Sequence, residues 1–289
     1  RGLAFSILRQ NADIWRLPVS PPTGRLAGPP EKVIATTRED SRGAWSRDGR
    51  WIAFNSDRSG DMNIWLFSMA DGSVRQVTSG PGGDFQPSFS PDGRQIAFFS
   101  SRAGSVDIWT VDAAGGKPRK LTQGSFISVN PAFSPDGRSI AYMSDEGGRL
   151  EVWVMNADGG HTRPLTQVGV VGHFLEWSAG GEQIVFRCPS GRPRTMRVQL
   201  SGGEPEEISE VVGGAHMSFS PDQTRIMDVL GHKTLWVSPL EGGAPEKVFE
   251  FDDPDSRIDY PRWSPDGRFV LFDRFRPQGG DIWLMEKFE

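Results

Sequence analysis

Pro87-Ser88-Phe89-Ser90-Pro91-Asp92-Gly93-Arg94-Gln95-Ile96-Ala97-Phe98-Phe99-Ser100 is the stretch whose reading decides how this chain folds. Pro91 pre-sets the backbone angle of the first turn position, Asp92 tolerates the second, and Gly93 takes the left-handed one. The β-rich runs on either side therefore read as two strands of a hairpin. Ser101-Arg102-Ala103-Gly104 is a second turn, and Asp107-Ile108-Trp109-Thr110-Val111-Asp112 a third strand. Gly115-Gly116 then turns the chain into a fourth strand at Arg119-Lys120-Leu121-Thr122.

The same string, or a degraded form of it, starts at Trp45, Phe89, Phe133, Trp177, Phe219 and Trp263, at steps of 44, 44, 44, 42 and 44 residues. A fixed period near 40–45 with four strands per unit predicts an all-β propeller of four-stranded antiparallel blades. Second-strand segments number seven if Leu3 to Ile7 is one of them. Third-strand segments also number seven, from Asp13-Ile14-Trp15 to Asp281-Ile282-Trp283, and the total is twenty-six. Seven blades, the first and last incomplete within this chain, fit that count better than the alternative of six. The expected organisation is a single propeller domain over 1–289, with units at about 1–37, 41–78, 85–122, 129–166, 173–209, 215–249 and 257–288. The Pro- and Gly-rich segment from Pro18 to Pro30 reads as a long loop inside the first blade.

Composition narrows the function classes. A net charge of −5 with no Lys/Arg-rich run gives no electrostatic footprint for nucleic acid or an anionic membrane. Cys188 is the single cysteine, so no intrachain disulfide or multi-cysteine metal site can form. No run of about 18 apolar residues occurs, so no membrane insertion is expected. No signal peptide is visible, and the start at Arg1 rather than Met suggests a mature form or a monomeric domain of a larger chain.

Residues repeated in every unit serve the scaffold, and positions where the copies disagree are the candidates for function. The third-strand Trp reads as inter-blade core and the Asp of each turn as a turn residue. Three residues before each turn aromatic stand Arg42, Gln86, Asn130, Phe174, His216 and Tyr260, where the innermost strands begin. One residue before the aromatic the copies are mostly small, but Glu176 and Arg262 interrupt them. With His173, these nine residues form the predicted ligand-binding face at the channel mouth.

No catalytic motif is present: there is no Gly-x-Ser-x-Gly elbow, no His-Glu-x-x-His helix and no phosphate-cradling glycine loop. No catalytic residue, metal ligand or cofactor is therefore assigned. Calcium is conceivable only at the oxygen-rich turns Asp71-Gly72 and Asn156-Ala157-Asp158-Gly159-Gly160, which lack the spacing of a calcium loop. Two turn copies have decayed, Ser178-Ala179-Gly180-Gly181 and Ser220-Pro221-Asp222-Gln223.

The combination Phe89-Ser90-Pro91-Asp92-Gly93-Arg94, Ile96-Ala97-Phe98, Ser101-Arg102, Asp107-Ile108-Trp109, Gly115-Gly116 and Leu121-Thr122 resembles the TolB-like propeller repeats, relatives of WD repeats. The resemblance implies a periplasmic protein-binding module, or the sensor or scaffold half of a bacterial membrane regulator. The expected activity is therefore non-catalytic binding of a protein or peptide at the channel mouth. The alternatives are a propeller domain of an enzyme, as peptidase gate or metal-dependent lyase, and a carbohydrate-binding propeller.

Overall fold

The computed structural model describes residues 2–21, 23–189, 194–209, 216–240 and 243–286, with backbone alone for 2–10 and 277–286. The chain opens with β1 (Gly2–Pro18) and β2 (Glu31–Ile34). Four complete hairpin pairs follow the pattern of the first, which is β3 (Asp40–Trp45), β4 (Trp51–Ser56), β5 (Asn63–Ser68) and β6 (Val74–Gln76). The next sheet is β7 (Asp84–Phe89), β8 (Gln95–Ser100), β9 (Asp107–Asp112) and β10 (Arg119–Lys120). Then come β11 (Ser128–Phe133), β12 (Ser139–Ser144), β13 (Glu151–Asn156) and β14 (Arg163–Pro164), followed by β15 (Leu175–Trp177), β16 (Gln183–Cys188), β17 (Arg194–Gln199) and β18 (Glu206–Ser209). The fifth such sheet holds β19 (Met217–Phe219), β20 (Arg225–Leu230), β21 (Thr234–Pro239) and β22 (Glu246–Glu250), and the chain ends with β23 (Arg257–Trp263) and β24 (Phe269–Glu286).

These strands form six four-stranded sheets among the described residues, not the seven blades that the sequence count suggests. The sixth sheet joins the chain ends in the order β2-β1-β24-β23. The two segments that the sequence suggests as separate strands at each end form one continuous strand, β1 at the start and β24 at the finish. In the long β1–β24 ladder Leu3 pairs with Met285 and Ile14 with Asp273, so the Leu3–Ile7 and Asp281–Trp283 segments extend the closing ladder. Residues 8–12, Leu-Arg-Gln-Asn-Ala, contain no Gly or Pro to turn the chain there.

Six apolar clusters, each shared by two neighbouring blades, run round the ring. Ala53, Ile64 and Leu66 meet Ile96, Phe98 and Val111 in one of them. In the closing one, Ile14, Ile34 and Leu271 meet Ile52 and Phe54. Because both faces of a blade are covered, second strands carry unbroken apolar runs such as Ile96-Ala97-Phe98, each fully buried, rather than the alternation of a half-exposed strand. The sixth sheet thus pairs the two ends of the chain with each other.

Every intact turn is fastened in the same way. The Ser46 hydroxyl donates to Asp48 Oδ1 at 2.6 Å and accepts from the Trp51 N–H at 2.9 Å, while Gly49 sits at φ 69°. The loop after β1 folds back onto the ring. Arg25 pairs with Glu246 of the neighbouring blade at 2.7 Å, and Gly24 lies hard against Trp263 and Val237.

Candidate functional site

Inner strands β3, β7, β11 and β23 each carry a bulge where the register slips between Ser41 and Ala44, Phe85 and Ser88, Val129 and Ala132, and Asp259 and Arg262. The residue in each bulge is Arg42, Gln86, Asn130 or Tyr260, with φ of 58°, 55°, 56° and 54°. A side chain with Cβ is strained in this left-handed region by about 1–2 kcal/mol. These are four of the six positions at which the repeat copies disagree. In the other two blades the inner strands are three residues long, and Phe174 and His216 precede them.

The bulges bring most of the predicted residues together. Arg42 Nη1 donates to Gln86 Oε1 at 3.3 Å, and Gln86 Nε2 reaches across the channel to the His173 carbonyl at 3.2 Å. The Arg42 guanidinium lies 4.9 Å over the Tyr260 ring. Tyr260 and His216 have centroids 3.9 Å apart, and His173 stacks on His216 at 5.5 Å. Beneath Arg42, its backbone N–H donates to Asp273 Oδ2 at 2.7 Å. Burial pushes the Asp273 carboxyl well above the usual carboxylate range, although that hydrogen bond and the Arg42 charge oppose the rise.

On the turn side of this polar layer, a cavity of about 450 Å3 runs down the channel. Glu176 and Arg262 face each other across its wall at 4.0 Å. Glu176 Oε2 accepts from the Phe219 N–H at 3.4 Å, and Arg262 donates to the Met217 carbonyl at 3.2 Å. Desolvation raises the Glu176 carboxyl to about 7, against the pull of Arg262. Asn130 also lines this cavity; its amide nitrogen meets Met143 Sδ at 3.3 Å while Oδ1 has no hydrogen-bond partner among the described residues. Phe174, by contrast, is buried between blades with Val185, Met217, Phe219 and Ile226, away from the channel surface.

Two residues absent from the sequence-based face complete the mouth. Asp259, next to Tyr260, points Oδ1 at both His216 Nδ1, 3.0 Å away, and His232 Nδ1, 2.5 Å away. Burial alone would raise the Asp259 carboxyl, but the two histidines outweigh it and hold it below its ordinary value. Burial lowers His216 despite Asp259, and crowding first, then the charges of Arg42 and His216, lowers His173. His232 sits in the second-to-third-strand turn of its blade at φ 56°, tied to β23 by the Ile258 N–H donating to its carbonyl at 2.9 Å. Such turns return to the end where inner strands begin, which is the signal that marks His232 in the repeat. The oxygen-rich turns are self-occupied instead: Asp71 Oδ1 accepts from Ser73, and Asp158 Oδ1 from the Gly160 N–H at 2.9 Å.

Residues 44–233 match the family described as the TolB beta propeller domain. The chain belongs to that family. A solved structure from Agrobacterium tumefaciens assigned to TolB superposes with a TM-score of 0.74 at 22% identity, covering 93% of this chain and 99% of that one. TolB from Acinetobacter baumannii gives a TM-score of 0.62 at 21% identity over 94% of this chain and 65% of that one. At these identities the likeness speaks for the fold. An uncharacterised protein of Agrobacterium fabrum is 46% identical over 43 residues, so this TolB-like chain matches only 15% of that relative's length.

Proposed function

We propose that this TolB-like propeller is a non-catalytic binding module that engages a protein or peptide segment at the mouth formed by Arg42, Gln86, His173, His216 and Tyr260. The observation that carries the reading is the ring of left-handed, non-glycine bulges, which holds variable side chains at one end of a regular scaffold. Strained backbone of this kind collects at binding sites, where the surrounding fold over-determines it. The mouth offers a guanidinium, an amide, two imidazoles and a phenol, a mixture suited to backbone carbonyls, carboxylates and aromatic side chains of a partner. The module serves as the interaction part of a larger bacterial protein outside the cytoplasm, in keeping with its family.

A photo-crosslinking residue introduced at Arg42 or Tyr260 tests this against one placed at Val74, on an outer strand. Crosslinks to one discrete partner from the mouth positions, suppressed by Gln86→Ala or His173→Ala, are expected. Equal or greater capture from Val74, unaffected by the mouth substitutions, would place the interface elsewhere.

A further inference from the structure

His216, His232 and Asp259 adjoin the polar chain formed by Arg42, Gln86 and His173, with His173 stacked on His216. Each offers one ligand atom, and the three atoms lie within 4.8 Å of one another. The residues come from three separate elements, namely the residue before β19, the β20–β21 turn and the bulged strand β23, so no local turn chemistry explains the convergence. Asp259 is 4% exposed and His216 6% exposed. His216 directs Nδ1 at Asp259, and its buried Nε2 has no hydrogen-bond partner among the described residues. A buried imidazole with one nitrogen unspent costs about 1–3 kcal/mol unless something occupies it. His232 is accessible, its side chain 43% exposed, and gives an ion a route to the two buried residues.

We infer that His216, His232 and Asp259 form a binding site for a divalent transition-metal ion of the zinc class at the mouth of this propeller. Two imidazole nitrogens and one carboxylate oxygen are a donor set that suits zinc and its first-row neighbours and disfavours magnesium and calcium, which take oxygen cages. Three protein ligands leave a coordination position for water or for a donor on a bound molecule. His173 and Tyr260 pack on His216 with ring centroids 5.5 and 3.9 Å from it. The site shares His216 with the partner-binding mouth, and its test reads metal binding alone, so either reading can fail without the other.

The test uses the full chain, stripped with chelator and titrated with Zn2+ by calorimetry and with Co2+ by visible absorption. One equivalent is expected to bind, with the Co2+ spectrum of a nitrogen- and oxygen-ligated ion and a rise in the melting temperature. His232→Gln, on an exposed turn, should keep the circular dichroism of the parent and weaken Zn2+ binding at least 100-fold. Asp259→Asn should weaken it comparably. His161→Gln, at an exposed position in a different blade, should leave it unchanged. Absence of binding at millimolar Zn2+ and Co2+, full retention of affinity in a folded His232→Gln chain, or displacement of Zn2+ by equimolar Ca2+ would each overturn the site.

Discussion

Gln223 stands where five other turns need or use the conformational freedom of glycine, and the backbone keeps the left-handed geometry there with φ 54°. Its side chain offsets that strain: Oε1 accepts from the Ala179 N–H at 2.7 Å and Nε2 donates to the Trp177 carbonyl at 3.0 Å. The two decayed turns are thus neighbours stitched to each other by the Gln223 side chain. Gln223→Ala should keep the strain and lose both bonds, lowering unfolding stability by about 1–2 kcal/mol in urea titration. Glu176 makes a second residue-level prediction. Its folded pKa of about 7 lies above the ordinary glutamate value of 4.5, so the folded state favours the protonated carboxyl. The resulting contribution is full below about pH 4.5 and is lost as pH rises through 7, a change on the order of 3 kcal/mol. Between pH 4.5 and 8 the stability of the parent relative to Glu176→Gln should fall as pH rises; parallel profiles would exclude Glu176 as a source of pH dependence.

At the scale of the element, the turn was the most legible part of this chain, because its chemistry is local. Ser, Asp and Gly in Ser-Pro-Asp-Gly satisfy their own backbone, as Ser90, Asp92 and the Arg94 N–H do at 2.6 and 3.0 Å. The bulges were legible only as a column of disagreement. Nothing in Arg42, Gln86, Asn130 or Tyr260 announces a left-handed residue, and the strain is imposed by register with the second strand. Phe174 lies in the inter-blade core, whereas His216, at the same column position of a blade that likewise lacks the bulge, stays at the mouth against Tyr260; the apolar ring of one and the polar ring of the other part them. His232 and Asp259 escaped because they belong to different columns that meet only in three dimensions. Two glycines with the same backbone separate strain from crowding. Gly49 has φ 69° and open space where a Cβ would stand, whereas a Cβ on Gly24, at φ 70°, would come 2.9 Å from Trp263 and Val237. Gly49→Ala should therefore cost about 1–2 kcal/mol, and Gly24→Ala distinctly more, in parallel thermal melts.

For the whole molecule, the repeat period was enough to give a propeller but not its blade number, since closure depends on how the chain ends meet rather than on any unit. The closing sheet draws β1 and β2 from one end and β23 and β24 from the other, and its outer strands feed both adjoining interfaces. Ile14 and Ile34 pack toward the sheet that follows, and Leu17 and Val19 toward the one that precedes. Weakening this blade therefore loosens two contacts of the ring at once. Ile14, fully buried, should cost about 2–5 kcal/mol when changed to Ala, while the ring still melts in one transition. Removing residues 1–34 goes further: it strips both outer strands, uncovers Leu271 and Phe272, and leaves the backbone edge of β24 unpaired. An exposed edge of that length templates pairing with other chains. The shortened chain should elute as higher oligomers in size-exclusion chromatography and lose the single sharp calorimetric transition of the parent. If residues 35–289 instead run as a monomer and melt at the parent's midpoint, the chain ends do not hold the ring closed.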